Sequence, residues 1–263
     1  MAGLLIFVLG LVFGSFANVC IYRLPKGRSL VNPGSRCPHC GHAIVWYDNI
    51  PVVSWLLLRA RCRFCREKIS ARYPVVELLT GILFLGLYLK FRSSPILLPA
   101  FVHLGIFLLA LVIISFIDID TYLIPDVIVL PGIVLGLVGA FFIPEYFFSL
   151  SRVEGLLYSL AGMFGGGFLL WLIAILGRIA YKKDAMGGGD VKLLAMIGAY
   201  LGWKSVFITI FFAALLGSII SLTLIGLKIK KMDDYIPFGP YLALGAVIGL
   251  IWKGYTFYGF FIP

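Results

Sequence analysis

The segment that decides the architecture is LLPAFVHLGIFLLALVIISFIDIDTYLIPDVIVL, Leu97 to Leu130. From Leu97 to Ile117 it contains no Asp, Glu, Lys or Arg. About 20 apolar residues in a row are enough for a helix to cross the hydrocarbon core of a bilayer. Three aspartates then follow within nine positions, Asp118, Asp120 and Asp126, before a second apolar run begins. The pattern reads as a chain that crosses a membrane, bends at its edge through an acidic turn, and crosses back.

The same reading extends to the whole chain. Its 263 residues are 61% hydrophobic and only 13% charged, and the mean hydropathy is +1.04. Soluble domains are roughly half apolar. Eight apolar spans are expected, at about 2–21, 74–91, 95–117, 126–143, 155–177, 191–203, 205–227 and 238–256. The sixth is short for a crossing. The fold class is therefore an all-α polytopic membrane protein of about eight transmembrane helices. A cysteine-rich loop domain lies between the first and second helices. Three regions are expected: a first transmembrane helix at 1–22, a zinc-ribbon-like four-cysteine domain at 23–73, and a seven-helix membrane domain at 74–263. The opening apolar run has no basic residue ahead of it and leads into further spans, so it reads as a helix rather than a secretory signal.

The net charge of +10 divides unevenly. Ten Lys and Arg residues fall in 23–73, four near 178–192, and Lys228, Lys230 and Lys231 follow the seventh span. With eight spans these loops share one side with the 118–125 turn, and that side is cytoplasmic by the positive-inside rule. The basic residues are read as the usual excess of a membrane protein's cytoplasmic loops, and membrane lipids are an expected partner. No basic groove interleaved with aromatics is present, which argues against a nucleic-acid partner.

A second acidic site lies in MGGGDVKLLAMIG, Met186 to Gly198. Three glycines followed by a helix suggest a phosphate loop, but G-x-x-x-x-G-K-[ST] is not present. The charge argument places Asp184 and Asp190 at the same membrane surface as Asp118. Carboxylates beside apolar spans are functional candidates by default. Two that share a proton can activate water with one group and polarise a carbonyl with the other. Gly187, Gly188 and Gly189 would let an extended peptide approach closely. Simpler readings stand beside these. Asp190 serves equally as a helix cap, Asp120 as a solvated or a supporting acid, and Asp126 as an acid favoured at a helix start. Lys192 either adjusts its neighbour or meets lipid phosphate. Glu77 in the second span faces a polar cavity or reaches the interface. The glycines at 161–168 suit close helix packing, and His103 reads as a packed histidine.

The 23–73 loop holds RCPHC and RCRFC. Cys37, Cys40, Cys62 and Cys65 form two C-x-x-C pairs at zinc-ribbon spacing, in a compartment where disulfides are rare. Structural Zn2+ is the expected cofactor, and redox or merely packed thiols are the alternatives. His39 and His42 read as spare solvated histidines.

Taken together, GSFANVCIYRLP, SRCPHC, DNIPVVSW, CRFC, ISARYPVVELLTG, DIDTYLIPD, GGGD and IPFGPYLALGA resemble the type IV prepilin peptidase family, the leader peptidase/N-methyltransferases. The resemblance runs over nearly the whole chain. It implies a membrane aspartic protease of the bacterial inner membrane with Asp118 and Asp190 as the catalytic pair and the active site at the cytoplasmic face. Asp120, Asp184, Gly187, Gly188, Gly189 and Lys192 would be supporting residues. The substrates would be prepilins or pseudopilins of a type IV pilus, type II secretion or DNA-uptake system. They would be cut after a glycine and then N-methylated with S-adenosylmethionine. Two positions depart from the family pattern: Asp184 stands where Glu is common, and Ala60 replaces a glycine in LRARC. The chain has no glycine motif of the soluble methyltransferases, so methylation rests on the resemblance alone. A peptidase without methyl transfer, a metal or proton transporter, and a structural assembly factor are the alternatives.

Overall fold

A computed structural model describes residues 1–147, 149, 151–181, 186–231 and 234–258, with side chains beyond residue 252 and at 180–181 left aside. Asp184 lies outside the described residues. Within those limits the chain is helical, and every apolar span expected from the sequence coincides with a helix. These are α1 (Ala2–Arg23), α3 (Arg72–Phe91), α4 (Leu97–Thr121), α5 (Asp126–Phe142), α6 (Arg152–Tyr181), α7 (Gly188–Leu201), α8 (Trp203–Gly226) and α9 (Gly239–Tyr258). A short α2 (Val53–Leu57) sits in the polar loop. Five of the described helices, α1, α3, α4, α6 and α8, are long and apolar enough to cross a membrane. The chain divides into two compact units, Met1–Leu97 and Leu98–Pro263.

In the first unit α1 packs along α3. The close approach comes from glycine. A Cβ added at Gly10 would lie 2.7 Å from Gly81 Cα, and one at Gly14 would lie 2.6 Å from Glu77 Cα. Small residues four apart let two helix backbones meet, which is how apolar helices associate where water supplies no drive between them. Asn18 adds a hydrogen bond from Nδ2 to the Tyr73 carbonyl at 3.1 Å. Beyond the helices, the two C-x-x-C sequences fold into matching knuckles. Cys37 N–H donates to His42 O at 2.9 Å and Cys62 N–H donates to Glu67 O at 2.8 Å. The turns then close through Gly41 and Arg66, each at positive φ. A glycine takes that conformation without cost, and the arginine takes it at some cost.

In the second unit the short α7 is the centre, packed against α5, α6, α8 and α9. Leu193, Leu194, Met196, Ile197, Ala199, Tyr200 and Leu201 are buried. Fourteen residues rise about 21 Å, less than the roughly 30 Å of a bilayer core. A helix enclosed by protein can be that short, because neighbouring helices rather than lipid surround its ends. Tyr200 is stacked by Phe107 of α4, with ring centroids 4.4 Å apart, and by His103 at 4.5 Å. His103 is thus a packing residue. The α6–α7 contact runs through Gly162 and Gly198, where a Cβ on either would overlap the other's backbone. Gly198→Leu should therefore destabilise the protein by about 1–3 kcal/mol or more through overpacking. Gly165→Leu, whose Cβ meets open space, should leave the unfolding temperature in detergent nearly unchanged. Equal shifts in the two variants would refute this account of the contact.

Candidate active site and cysteine centre

Asp118 sits in the last turn of α4, and Asp190 in the first turn of α7. Both are 4% exposed. Each carboxylate is held by a glycine N–H. Gly239 N–H, at the start of α9, donates to Asp118 Oδ2 at 2.9 Å. Gly187 N–H donates to Asp190 Oδ2 at 3.2 Å. The first N–H groups of a helix have no partner within it, so a carboxylate placed there satisfies them. The Gly187–Asp190 bond is the reach-back half of a capping box. The simple cap reading of Asp190 is therefore realised in the structure. It does not exhaust the residue, because burial beside a second acid is not what a surface cap requires.

Ile124 lies against Gly189 of α7 and Gly239 of α9: a Cβ on Gly189 would meet Ile124 Cβ at 2.9 Å, and a Cβ on Gly239 would meet Ile124 Cδ1 at 3.4 Å and Asp118 Oδ2 at 2.7 Å. Gly189 and Gly239 therefore have no room for a side chain, whereas Gly188 faces open space. Tyr235, in the loop ahead of α9, is influenced by both acids. Burial, then the charges of Asp190 and Asp118, push its phenol above the usual tyrosine range. Lys230 fixes this loop by donating to Tyr235 O at 2.7 Å, and the Tyr122 and Tyr235 rings meet edge to face at 5.4 Å. Tyr122 itself takes a left-handed backbone, φ 56°.

The remaining acids separate from the pair. Asp120 is exposed near the end of α4. Asp126 opens α5 and pairs with Lys192, whose Nζ lies 2.8 Å from both of its oxygens. Lys192 thus reaches α5 rather than Asp190. Both partners are about half exposed, so the pair is worth about 0–1 kcal/mol. Lys192→Met should lower the unfolding temperature slightly at most, and a large drop would contradict the surface reading. Sequence reasoning missed Gly239, Ile124 and Tyr235 as site residues. IPFGP ahead of an apolar run does mark a helix start with unpaired N–H groups, but only the fold shows which acid they meet.

The cysteines gather as their spacing predicts. The four sulfurs of Cys37, Cys40, Cys62 and Cys65 all lie within 4.8 Å of one another, with Cys37 and Cys65 3.8 Å apart. A tetrahedral ion bound at about 2.3 Å needs sulfurs about 3.8 Å apart, so the donor set and its size suit zinc. The Cys65 and Phe64 backbone N–H groups hold the Cys62 thiol down to about 7. Cys65, despite the Glu67 backbone N–H, is pushed up to about 12 by burial and by Cys62, Cys40 and Cys37, so the cluster favours one thiolate at a time until a cation joins it. His42 contributes its carbonyl to the first knuckle and its ring packs on Phe64 at 3.4 Å.

Two family models match the chain, the Bacterial Peptidase A24 N-terminal domain over residues 8–91 and the Type IV leader peptidase family over residues 105–222. The prepilin leader peptidase/N-methyltransferase of Aeromonas hydrophila is 37% identical over 278 residues, covering 94% of this chain and 90% of its own. The chain belongs to the type IV prepilin leader peptidase/N-methyltransferase family. A relative of the same name from Pectobacterium carotovorum is 38% identical over 95% of this chain and 92% of its own. The Myxococcus xanthus relative is 39% identical, and the match spans 84% of this chain and 62% of that protein. No solved structure matches significantly. The chain is thus a multi-pass membrane member of the A24 aspartic peptidases. Asp118 lies within the stretch matched by the peptidase model, as does Asp190.

Proposed function

We propose that Asp118 and Asp190 are the catalytic pair of a prepilin peptidase in the bacterial inner membrane. The observation that carries this reading is the burial of two carboxylates from separate helices, each held by one glycine N–H. One ionised carboxylate takes a proton from water as the water oxygen attacks the scissile carbonyl. The other, protonated, donates to the carbonyl oxygen. The tetrahedral carbon then collapses, the C–N bond breaks, and the leaving amine takes a proton. Two acids that share one proton divide these roles between them.

The substrate is a prepilin or pseudopilin, cut after the glycine that ends its basic leader. Lys192 in the first turns of α7, and Lys228, Lys230 and Lys231 between α8 and α9, lie at the same end of the second unit as the pair. The positive-inside rule makes that end cytoplasmic. Gly187 and Gly188 leave room beside Asp190 for an extended backbone. The new N-terminus is then methylated with S-adenosylmethionine, in keeping with the methyltransferase activity named in the relatives. Cys37, Cys40, Cys62 and Cys65 hold a structural zinc ion. The purified protein in detergent, given a synthetic prepilin peptide, should release a leader ending in glycine. Cleavage elsewhere, or none, would refute the reading. Asp120 and Lys192 are supporting residues at most, because Lys192 is engaged by Asp126.

A further inference from the structure

When water attacks a peptide carbonyl, the carbonyl oxygen gathers negative charge. Fixed hydrogen-bond donors aimed at that oxygen are usually the largest single aid to such a step. A protonated carboxylate of the Asp118–Asp190 pair supplies one donor. Tyr235, in the loop ahead of α9, brings a phenol to the same place. A Cβ added at Gly187 would lie 3.5 Å from Asp190 Oδ2 and 3.8 Å from the Tyr235 hydroxyl. Gly187 is the residue whose N–H holds Asp190, so the hydroxyl stands over the support of that acid.

Tyr235 is tied to Asp118 as well, through a closed circuit of contacts. Tyr122 N–H donates to the Asp118 carbonyl at 2.9 Å. The Tyr122 ring meets the Tyr235 ring edge to face, with centroids 5.4 Å apart. At the end of the Tyr235 loop, Gly239 N–H returns to Asp118 Oδ2. Lys230 braces the circuit: its Nζ donates to Tyr235 O at 2.7 Å and to the Tyr122 hydroxyl at 3.4 Å. Tyr122 holds φ 56° within it, a conformation that a bulky residue rarely adopts. Backbone strain of this kind gathers at active sites and ligand clamps.

The Tyr235 hydroxyl itself is uncommitted. Among the described residues it makes no hydrogen bond; burial and the charges of Asp190 and Asp118 are what act on it, and they keep the phenol protonated. Tyr235 is 48% exposed, so a substrate can reach it. Packing on Tyr122 needs the ring and not the hydroxyl. A ring that merely walls the site would therefore serve as well as phenylalanine, whereas a fixed donor beside two buried acids suits a ligand oxygen.

We propose that the Tyr235 hydroxyl donates to the scissile carbonyl oxygen and, with the protonated carboxylate, holds the charge that gathers there. This rests on the reading that Asp118 and Asp190 cut a peptide. The water oxygen forms its bond to the carbonyl carbon and the C–N bond breaks, as in that reading. The phenol keeps its proton from start to finish, so the balance of the hydrolysis is unchanged. Its hydrogen bond strengthens as the carbonyl oxygen turns from neutral to anionic, and an interaction that is stronger in the transition state raises kcat.

The test uses Tyr235→Phe, which removes the hydroxyl and keeps the ring, in the full-length protein in detergent. With a synthetic prepilin peptide, kcat should fall about a hundredfold while KM stays within about twofold, the lower end for one lost oxyanion donor. Two uncleavable peptides, otherwise identical, then report which atom the hydroxyl meets. One carries a hydroxyl-bearing tetrahedral carbon in place of the scissile carbonyl, and the other carries a methylene there. Tyr235→Phe should weaken the first about tenfold and the second less than about twofold, as expected for one hydrogen bond. Both ligands are measured on one variant, so a partial loss of folded protein does not imitate the difference. Unchanged kcat, a change in KM alone, or equal weakening of the two peptides would overturn the proposal and leave the aspartate pair standing. An unmutated protein that neither cleaves the substrate nor binds either peptide would overturn the peptidase reading, and this proposal with it.

Discussion

Asp118→Asn and Asp190→Asn should each lower prepilin cleavage by roughly 10²–10⁴-fold, the range for losing a positioned acid or base. The double variant should be little worse than either single one, because the two groups act as a unit on one water. The loss should appear in kcat, since neither carboxylate is needed to hold the peptide. Both changes keep size and hydrogen bonding, so Gly239 and Gly187 retain their acceptors. A stability measurement should therefore show little change. Near-normal turnover in either variant would remove the dyad from the mechanism. A structural assembly factor would tolerate both substitutions. A transporter would use acids near the bilayer midplane, and Asp118 and Asp190 lie at helix ends instead.

Replacing the clustered cysteines should produce the second large effect. The purified protein should carry about one zinc ion per chain, and Cys37→Ser or Cys62→Ser should carry essentially none. Each serine removes one of four donors, and each knuckle supplies two. The loop between α1 and α3 has little apolar core of its own, with Ser54 and Cys37 its buried residues. A structural zinc contributes its binding energy directly to folding. The variants should accordingly lose protease resistance in the 23–73 loop while α1 and α3 stay associated through Gly10, Gly14 and Gly81. A protein purified without metal yet equally resistant would show that the thiols merely pack.

Much of this was legible in the residues alone, for identifiable reasons. Apolar run length marked each helix, and equal depth from the charge pattern placed Asp118 and Asp190 together. The doubled RCxxC spacing pointed to the sulfur cluster because two knuckles are local structures. What was not legible depends on contacts far apart in the chain. The 191–203 run looked like a deficient crossing, yet α7 is short because helices enclose it. Gly198 matched no motif, and only its meeting with Gly162 explains it. Lys192 reads in the sequence as adjusting Asp190 or meeting lipid phosphate, but its side chain crosses to Asp126. Val52 is an ordinary strand-favouring residue on paper, yet it takes φ 62° and donates its N–H to Glu77, on a helix reached only after the cysteine loop.

The most direct measurement is the intact mass of a prepilin co-expressed with this protein. The account predicts a pilin that has lost its leader after the glycine and gained one methyl group, and a full-length, unmethylated prepilin with either Asp118→Asn or Asp190→Asn. A mature pilin produced in the presence of both single variants would contradict it.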